Sequence, residues 1–211
     1  EALLRSLAGF ALFCLLSSTV YIINDIMDVE ADRKHPTKCK RPIASGKLPI
    51  PVALGAAALI LALTFLAAYF LSIDFLIVAA LYFLINLAYS TWLKHIPLVD
   101  VLILAAGFVL RVAAGVSLIE VQRFSPWLYV CTTLLALFMG FGKRRAELAL
   151  VAGSSGTRKV LDGYTIPFLD QLILIVASTT IIAYSLYTFL AENAPPNHSM
   201  MLTIPFVVYA I

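Results

Sequence analysis

Runs of about 20 predominantly apolar residues recur along the whole chain, and no other feature constrains its fold so strongly. A backbone that crosses hydrocarbon must satisfy its own hydrogen bonds, which only helices and closed barrels do. The runs fall near 3–23, 52–72, 75–93, 97–118, 125–142 and 167–191, with a seventh beginning near 200. Each is continuously apolar, so the expected fold is all-α: a polytopic transmembrane helical bundle, read as a single transmembrane domain over 1–211. Composition agrees, because 62% hydrophobic and 13% charged residues lie far from the averages of soluble domains. The first run lacks a short h-region followed by a small-residue cleavage site and is read as a span, not a signal peptide. Cys14, Cys39 and Cys131 show no paired metal spacing, so neither zinc nor disulfides are expected.

Charge gives the orientation. The connections after the first, third and fifth runs hold 12 of the 15 basic residues, among them Arg33, Lys34, Lys38, Lys40, Arg41, Lys47, Lys94, Lys143, Arg144, Arg145, Arg158 and Lys159. The opposite loops hold Arg123. By the positive-inside rule the basic face is cytoplasmic. Orientation during insertion accounts for most of these lysines, but it asks for no acids.

Acids nevertheless follow the first run, in "YIINDIMDVEADRKHPTKCKRPIASG". If the first helix continues past its apolar stretch, Asn24, Asp25, Asp28 and Asp32 are spaced by one, three and four residues and share one face. Three carboxylates within two turns repel one another unless a cation lies among them. Hard oxygen donors of this kind suit Mg²⁺, which takes a few carboxylates together with water and phosphate oxygens. The bland alternative is a solvated helix end with balanced charges. The loop beyond brings Lys38, Lys40 and Arg41 toward the same region. Carboxylate-held Mg²⁺ beside Lys and Arg is the charge set that binds a diphosphate and neutralises it as it leaves carbon.

Asn24-Asp25-x-x-Asp28-x-x-x-Asp32 followed by Arg41-Pro42 resembles the first aspartate-rich motif of the UbiA superfamily of intramembrane prenyltransferases. "YSTWLKH", Tyr89 to His95, is similar to that family's Tyr-x-x-x-x-Lys motif. The resemblance runs over essentially the whole chain. It implies a nine-span fold around a lipid-open cavity, of which about seven spans are expected here, the first and last two helices being absent.

One departure from the family pattern is informative. Ordinary members carry a second aspartate-rich motif after the fifth span present here, whereas this chain has the basic stretch "GFGKRRAELALVAGSSGTRKVLDGYT", with Glu147 and Asp162 its only acids. Together with "LKHIPLVDVLILAAGFVLRVAAG" it looks like the decaprenyl-phosphate phosphoribosyltransferase branch. That branch implies transfer of 5-phosphoribosyl from phosphoribosyl pyrophosphate to a polyprenyl phosphate, with release of pyrophosphate, toward an arabinose donor for cell-wall polysaccharide. The exchange of acids for bases is physically sensible, since these substrates bring several phosphates together. Two unit charges 4 Å apart interact at about 4 kcal/mol for an effective dielectric near 20. The "GKRR" stretch reads either as phosphate ligands or as a topological anchor.

The site expected from these readings has Asp25, Asp28 and Asp32 as catalytic residues and, with Asn24, as Mg²⁺ ligands. Asn24, Lys40, Arg41, Tyr89, Lys94, His95, Arg111, Lys143, Arg144, Arg145, Glu147 and Tyr164 are expected to bind substrate. An anionic acceptor phosphate needs no strong general base, so His35 and His198 are read as bystanders. Arg111, inside a span, is a functional candidate by default or else half of an internal ion pair with an acid from another helix. Asp100, eleven residues before it, is the weaker candidate; Tyr82, Asn86 and Tyr89 could line the same cavity or serve as interface residues. The expected partners are phosphoribosyl pyrophosphate, a polyprenyl phosphate and membrane lipid, with no nucleic acid and an oligomer left open. The expected location is the plasma membrane, multi-pass, with the site toward the cytoplasm. A transporter would show paired broken segments, which are not found. The alternative within enzymes is a prenyltransferase joining a polyprenyl diphosphate to an aromatic or lipid acceptor.

Overall fold

The computed structural model describes residues 1–119, 125–151, 159–191, 195 and 197–211. Among these the chain is helical: α1 (Ala2–Met27), α2 (Val29–Lys34), α3 (Ile50–Leu71), α4 (Ile73–Thr91), α5 (Val99–Val116), α6 (Pro126–Val151), α7 (Ile166–Leu190) and α8 (Ile204–Ala210). Short 3₁₀ turns lie at Lys38–Lys40, Leu93–His95, Lys159–Gly163 and Ser199–Thr203. Arg123 and Arg158, used in the topology argument, lie outside the described residues.

Five of the described helices, α1, α3, α4, α5 and α7, are long and apolar enough to cross a membrane. The stretch expected as a span over 125–142 is helical, but α6 runs on through Lys143, Arg144, Arg145 and Glu147 and falls outside that group. The expected start of a seventh span near 200 is a 3₁₀ turn followed by the seven-residue α8. Outward faces stay apolar, as at Leu3 (72% exposed), Phe70 (78%) and Leu174 (67%). In a soluble protein so much exposed hydrocarbon would be anomalous; against lipid it is the expected surface.

The chain forms two compact units, Glu1–Leu93 with Leu110–Glu120, and Lys94–Val109 with Val121–Ile211. In the first, α1 packs on α3 and α4, and α3 on α4. The buried positions of α3 are Ala53, Ala57, Thr64 and Ala68, a stripe of small side chains that lets helix backbones approach closely. The core gathers Phe13 and Leu16 of α1 with Phe75, Ala79 and Tyr82 of α4 and Ala114 of α5. Phe13 meets Phe75 and Tyr82 edge-on at 5.8 and 5.0 Å between ring centres. The Ser72 hydroxyl caps α4 by accepting from the Phe75 N–H.

In the second unit α6 packs on α7. Its core joins Val101, Phe141, Val160, Leu161, Tyr164, Leu169 and Val176. Thr165 caps α7 by accepting from the Phe168 N–H, and Pro167 sits in the first turn where its missing N–H leaves no gap. Gly163 allows the closest approach here, since a β-carbon would lie 2.2 Å from Cγ of Pro97.

Candidate functional site

The aspartate stretch is built much as the sequence proposes. Helix α1 continues through Asn24 and Asp25, is interrupted at Asp28 (φ −93°, ψ 4°), and resumes as α2. The ladder survives the interruption, because Asp28 N–H donates to the Asn24 carbonyl at 2.9 Å and Asp32 N–H to that of Asp28 at 2.8 Å. All four side chains therefore stay in register. Asn24 Nδ2 donates to Asp28 Oδ2 at 3.2 Å. Helix α2 stops at His35, extended ahead of Pro36 as a residue before proline must be. The His35 ring caps the following turn, its Nδ1 accepting from the N–H groups of Thr37 and Lys38.

The loop then returns to the acids. Arg41 is extended ahead of Pro42, its carbonyl accepts from Ser45 N–H at 2.8 Å, and Leu48 N–H reaches the Pro42 carbonyl at 3.0 Å. Gly46 at φ +79° takes the left-handed position this turn requires. Arg33 ties the loop to α2, donating from Nε to the Ala44 carbonyl and from Nη1 to Glu30. In consequence Arg41 Nη1 bridges two carboxylates, 2.7 Å from Asp25 Oδ1 and 2.8 Å from Asp32 Oδ2. The Asp32 side chain is 5% exposed, that of Asp25 27% and that of Arg41 39%. Lys38 and Lys40 are exposed.

The donor set, three carboxylates and one amide, has the hard-oxygen chemistry that Mg²⁺ requires. The arrangement differs from the expected metal cluster in one respect. Among the described residues no three His, Cys, Asp or Glu converge as metal ligands, and the positive charge between Asp25 and Asp32 is the Arg41 guanidinium.

On α4, Tyr89 is half-buried, and Asn86 donates its amide to the Tyr82 carbonyl one turn back. Arg111 on α5 reaches Tyr82. Its Nη2 donates to the Tyr82 hydroxyl at 2.7 Å, and its guanidinium carbon lies 5.2 Å from that ring's centre. The Tyr82 hydroxyl also meets Ser17 Oγ at 3.3 Å. Arg111 and Ser17 line a cavity of about 520 Å³ whose largely apolar wall includes Phe10, Phe13, Phe75 and Leu118.

In the second unit Lys94 is buried and His95 exposed. Arg144 lies in a buried ion pair. It is 1% exposed, and its Nε donates to Asp100 Oδ2 at 2.6 Å while Nη1 donates to Glu147 Oε2 at 2.5 Å. The Tyr164 hydroxyl donates to the other Asp100 oxygen at 2.7 Å and accepts from the Leu98 N–H at 2.6 Å. Burial, reinforced by the hydrogen bond to Asp100, raises the Tyr164 phenol well above its ordinary range. Arg144, Glu147 and Tyr164 thus meet around Asp100, the residue ranked lower from sequence. One residue on, Arg145 is exposed and pairs with Asp170, a partner the sequence reading did not name, and Lys143 is exposed. A lone acid at the start of an apolar run was the signal that could have found the Asp100 pair.

Comparison with known proteins agrees with this architecture. A decaprenyl-phosphate phosphoribosyltransferase of Mycolicibacterium smegmatis is 37% identical over 187 residues, covering 88% of this chain and 58% of the relative. One from Corynebacterium glutamicum is 36% identical over 208 residues, 95% of this chain and 62% of the relative. The chain thus spans about six-tenths of the length of these curated relatives. A UbiA homolog from Archaeoglobus fulgidus, solved bound to GPP and Mg²⁺, has the same fold with a TM-score of 0.80 at 18% identity, over 98% of this chain and 72% of that one. The model of the UbiA prenyltransferase family matches residues 2–146, and this multi-pass, all-helical membrane chain belongs to that family.

Proposed function

We propose that the protein is a transferase that moves a 5-phosphoribosyl group from phosphoribosyl pyrophosphate to a polyprenyl phosphate, releasing pyrophosphate. The observation that carries this reading is identity of 36–37% with relatives named decaprenyl-phosphate phosphoribosyltransferase, over 88–95% of the chain. The product would serve as precursor of an arabinose donor for cell-wall polysaccharide. By the positive-inside rule the acid cluster faces the cytoplasm, in the plasma membrane.

Asp25, Asp28 and Asp32, with Asn24, would hold Mg²⁺, which supplies charge neutralisation to a leaving diphosphate. Arg41 and Lys40 grip the same diphosphate from the loop side, Arg41 through its planar fork. The bond from ribose C1 to the diphosphate oxygen breaks with its electron pair passing to pyrophosphate. A new bond forms between C1 and an oxygen of the acceptor phosphate, from the opposite face. The acceptor is already anionic, so no proton has to be removed. Lys94, Lys143 and Arg145 are assigned to the remaining phosphates, with Tyr89 and His95 as hydrogen-bonding groups. Arg144, Glu147 and Tyr164 are assigned to holding Lys143 and Arg145 in place rather than to touching substrate. The apolar cavity beside Arg111 suits an isoprenoid chain.

The test is product identity. Full-length protein in detergent, given Mg²⁺, phosphoribosyl pyrophosphate and a polyprenyl phosphate, should yield a lipid heavier by one phosphoribosyl unit, read by mass spectrometry. An unmodified lipid beside active positive-control enzyme would reject the reading.

A further inference from the structure

We propose that Arg41 is an internal counter-ion that competes with a divalent cation for the α1–α2 carboxylates, so that the metal enters together with a diphosphate and not ahead of it. This rests on the diphosphate reading above and adds the order in which charge arrives.

The geometry sets the competition. A single nitrogen, Nη1 of Arg41, lies 2.7 Å from Asp25 Oδ1 and 2.8 Å from Asp32 Oδ2. A Mg²⁺ ion taking one oxygen from each acid would need the same two carboxylates that this nitrogen bridges. The two cations therefore compete for one pair of acids. Asp32 gives the contact its strength, since its side chain is 5% exposed and a buried carboxylate is costly without a positive partner. The nearby Arg33 cannot substitute, being engaged with Glu30 and the Ala44 carbonyl.

The geometry also supplies the release. The backbone of Arg41 is fixed by its bond from Ser45 N–H and by the neighbouring Leu48–Pro42 bond. Its side chain is 39% exposed, so the guanidinium can pivot while the main chain stays. A diphosphate offers it two parallel hydrogen bonds, drawing it from Asp25 and Asp32 as the accompanying metal takes its place. Metal alone brings no such replacement partner and has to evict the arginine into water. The carboxylates are thus neutralised in both states, by Arg41 before binding and by the metal after it.

The experiment measures protein-bound Mn²⁺ by electron paramagnetic resonance, on full-length protein in detergent, with and without inorganic pyrophosphate. Wild type should bind Mn²⁺ weakly alone and markedly tighter with pyrophosphate. Arg41→Gln should bind Mn²⁺ alone about tenfold to a hundredfold tighter than wild type, and gain less from pyrophosphate. Arg41→Lys, which retains the charge, should resemble wild type without pyrophosphate. Thermal unfolding checks the fold of each variant, and added Mn²⁺ should restore any stability lost in Arg41→Gln. Mn²⁺ binding to Arg41→Gln no tighter than to wild type overturns the competition alone. Wild type that binds no Mn²⁺ even with pyrophosphate overturns the diphosphate reading with it.

Discussion

Arg144→Met tests the buried network most sharply. Asp100 is 0% and Arg144 1% exposed, so removing the guanidinium strands a carboxylate away from water. Loss of one partner of a buried pair destabilises by about 3–5 kcal/mol. Glu147 adds little to this, because its side chain is 32% exposed and can be rehydrated. Tyr164 still donates to Asp100 at 2.7 Å, which favours the lower end. Removing both charges together, in Asp100→Leu with Arg144→Met, leaves no stranded ion and should return most of the loss. Arg145→Ala is the control from the next residue. Its pair with Asp170 has side chains 45% and 48% exposed, and such surface pairs contribute about 0–1 kcal/mol. The assay is thermal unfolding in detergent followed by tryptophan fluorescence. At about 2–4 °C per kcal/mol for a chain of this size, Arg144→Met should lower Tm by about 6–20 °C and Arg145→Ala by about 4 °C at most. Arg144→Met and Arg145→Ala with equal shifts, or a double variant as damaged as the single one, would refute the reasoning.

The raised phenol of Tyr164 gives a pH dependence of definite sign. The folded state keeps a proton that the unfolded chain releases near its ordinary value of 10.0, so stability falls as pH rises past that value. Tyr164→Phe should flatten this alkaline loss in Tm while lowering neutral-pH stability by about 1–3 kcal/mol. Gly163→Ala places a β-carbon 2.2 Å from the rigid Pro97 ring and should lower stability by about 1–3 kcal/mol through overpacking, read in the same unfolding assay. Asp28→Asn should reduce pyrophosphate release by about 10²–10³-fold with Tm nearly unchanged, whereas Asp32→Asn should lower both, because Asp32 is buried against Arg41.

The helices were legible because their apolar runs have one meaning in a bilayer, and the run 3–23 reappears as Ala2–Met27. The in-phase aspartates were legible because helical spacing alone puts them on one face, and the ladder through Asp28 keeps them there. What the acids would contact was less so. Sequence brought Arg41 toward the acids and offered it as a ligand for substrate, but that its guanidinium bridges Asp25 and Asp32 depends on the turn at Gly46, which spacing alone does not give. Arg144 and Arg145 are adjacent and chemically identical, yet one is buried on Asp100 and the other lies exposed beside Asp170. That difference comes from a 100° step around α6 and from which helix packs on each side, information that is tertiary. The limits of α6 were misjudged for a related reason, since its backbone bonds continue past the last apolar residue into Lys143–Val151.

The central claim is the identity of the two substrates, and competition between them in one preparation is the most direct measurement. Full-length protein with Mg²⁺ is supplied either with phosphoribosyl pyrophosphate and a polyprenyl phosphate, or with a polyprenyl diphosphate and an aromatic acceptor, and pyrophosphate release is followed against Asp28→Asn. The account predicts turnover with the first pair alone, abolished in the variant. Turnover with the second pair alone would contradict it, and would leave Lys143 and Arg145 as anchors of topology.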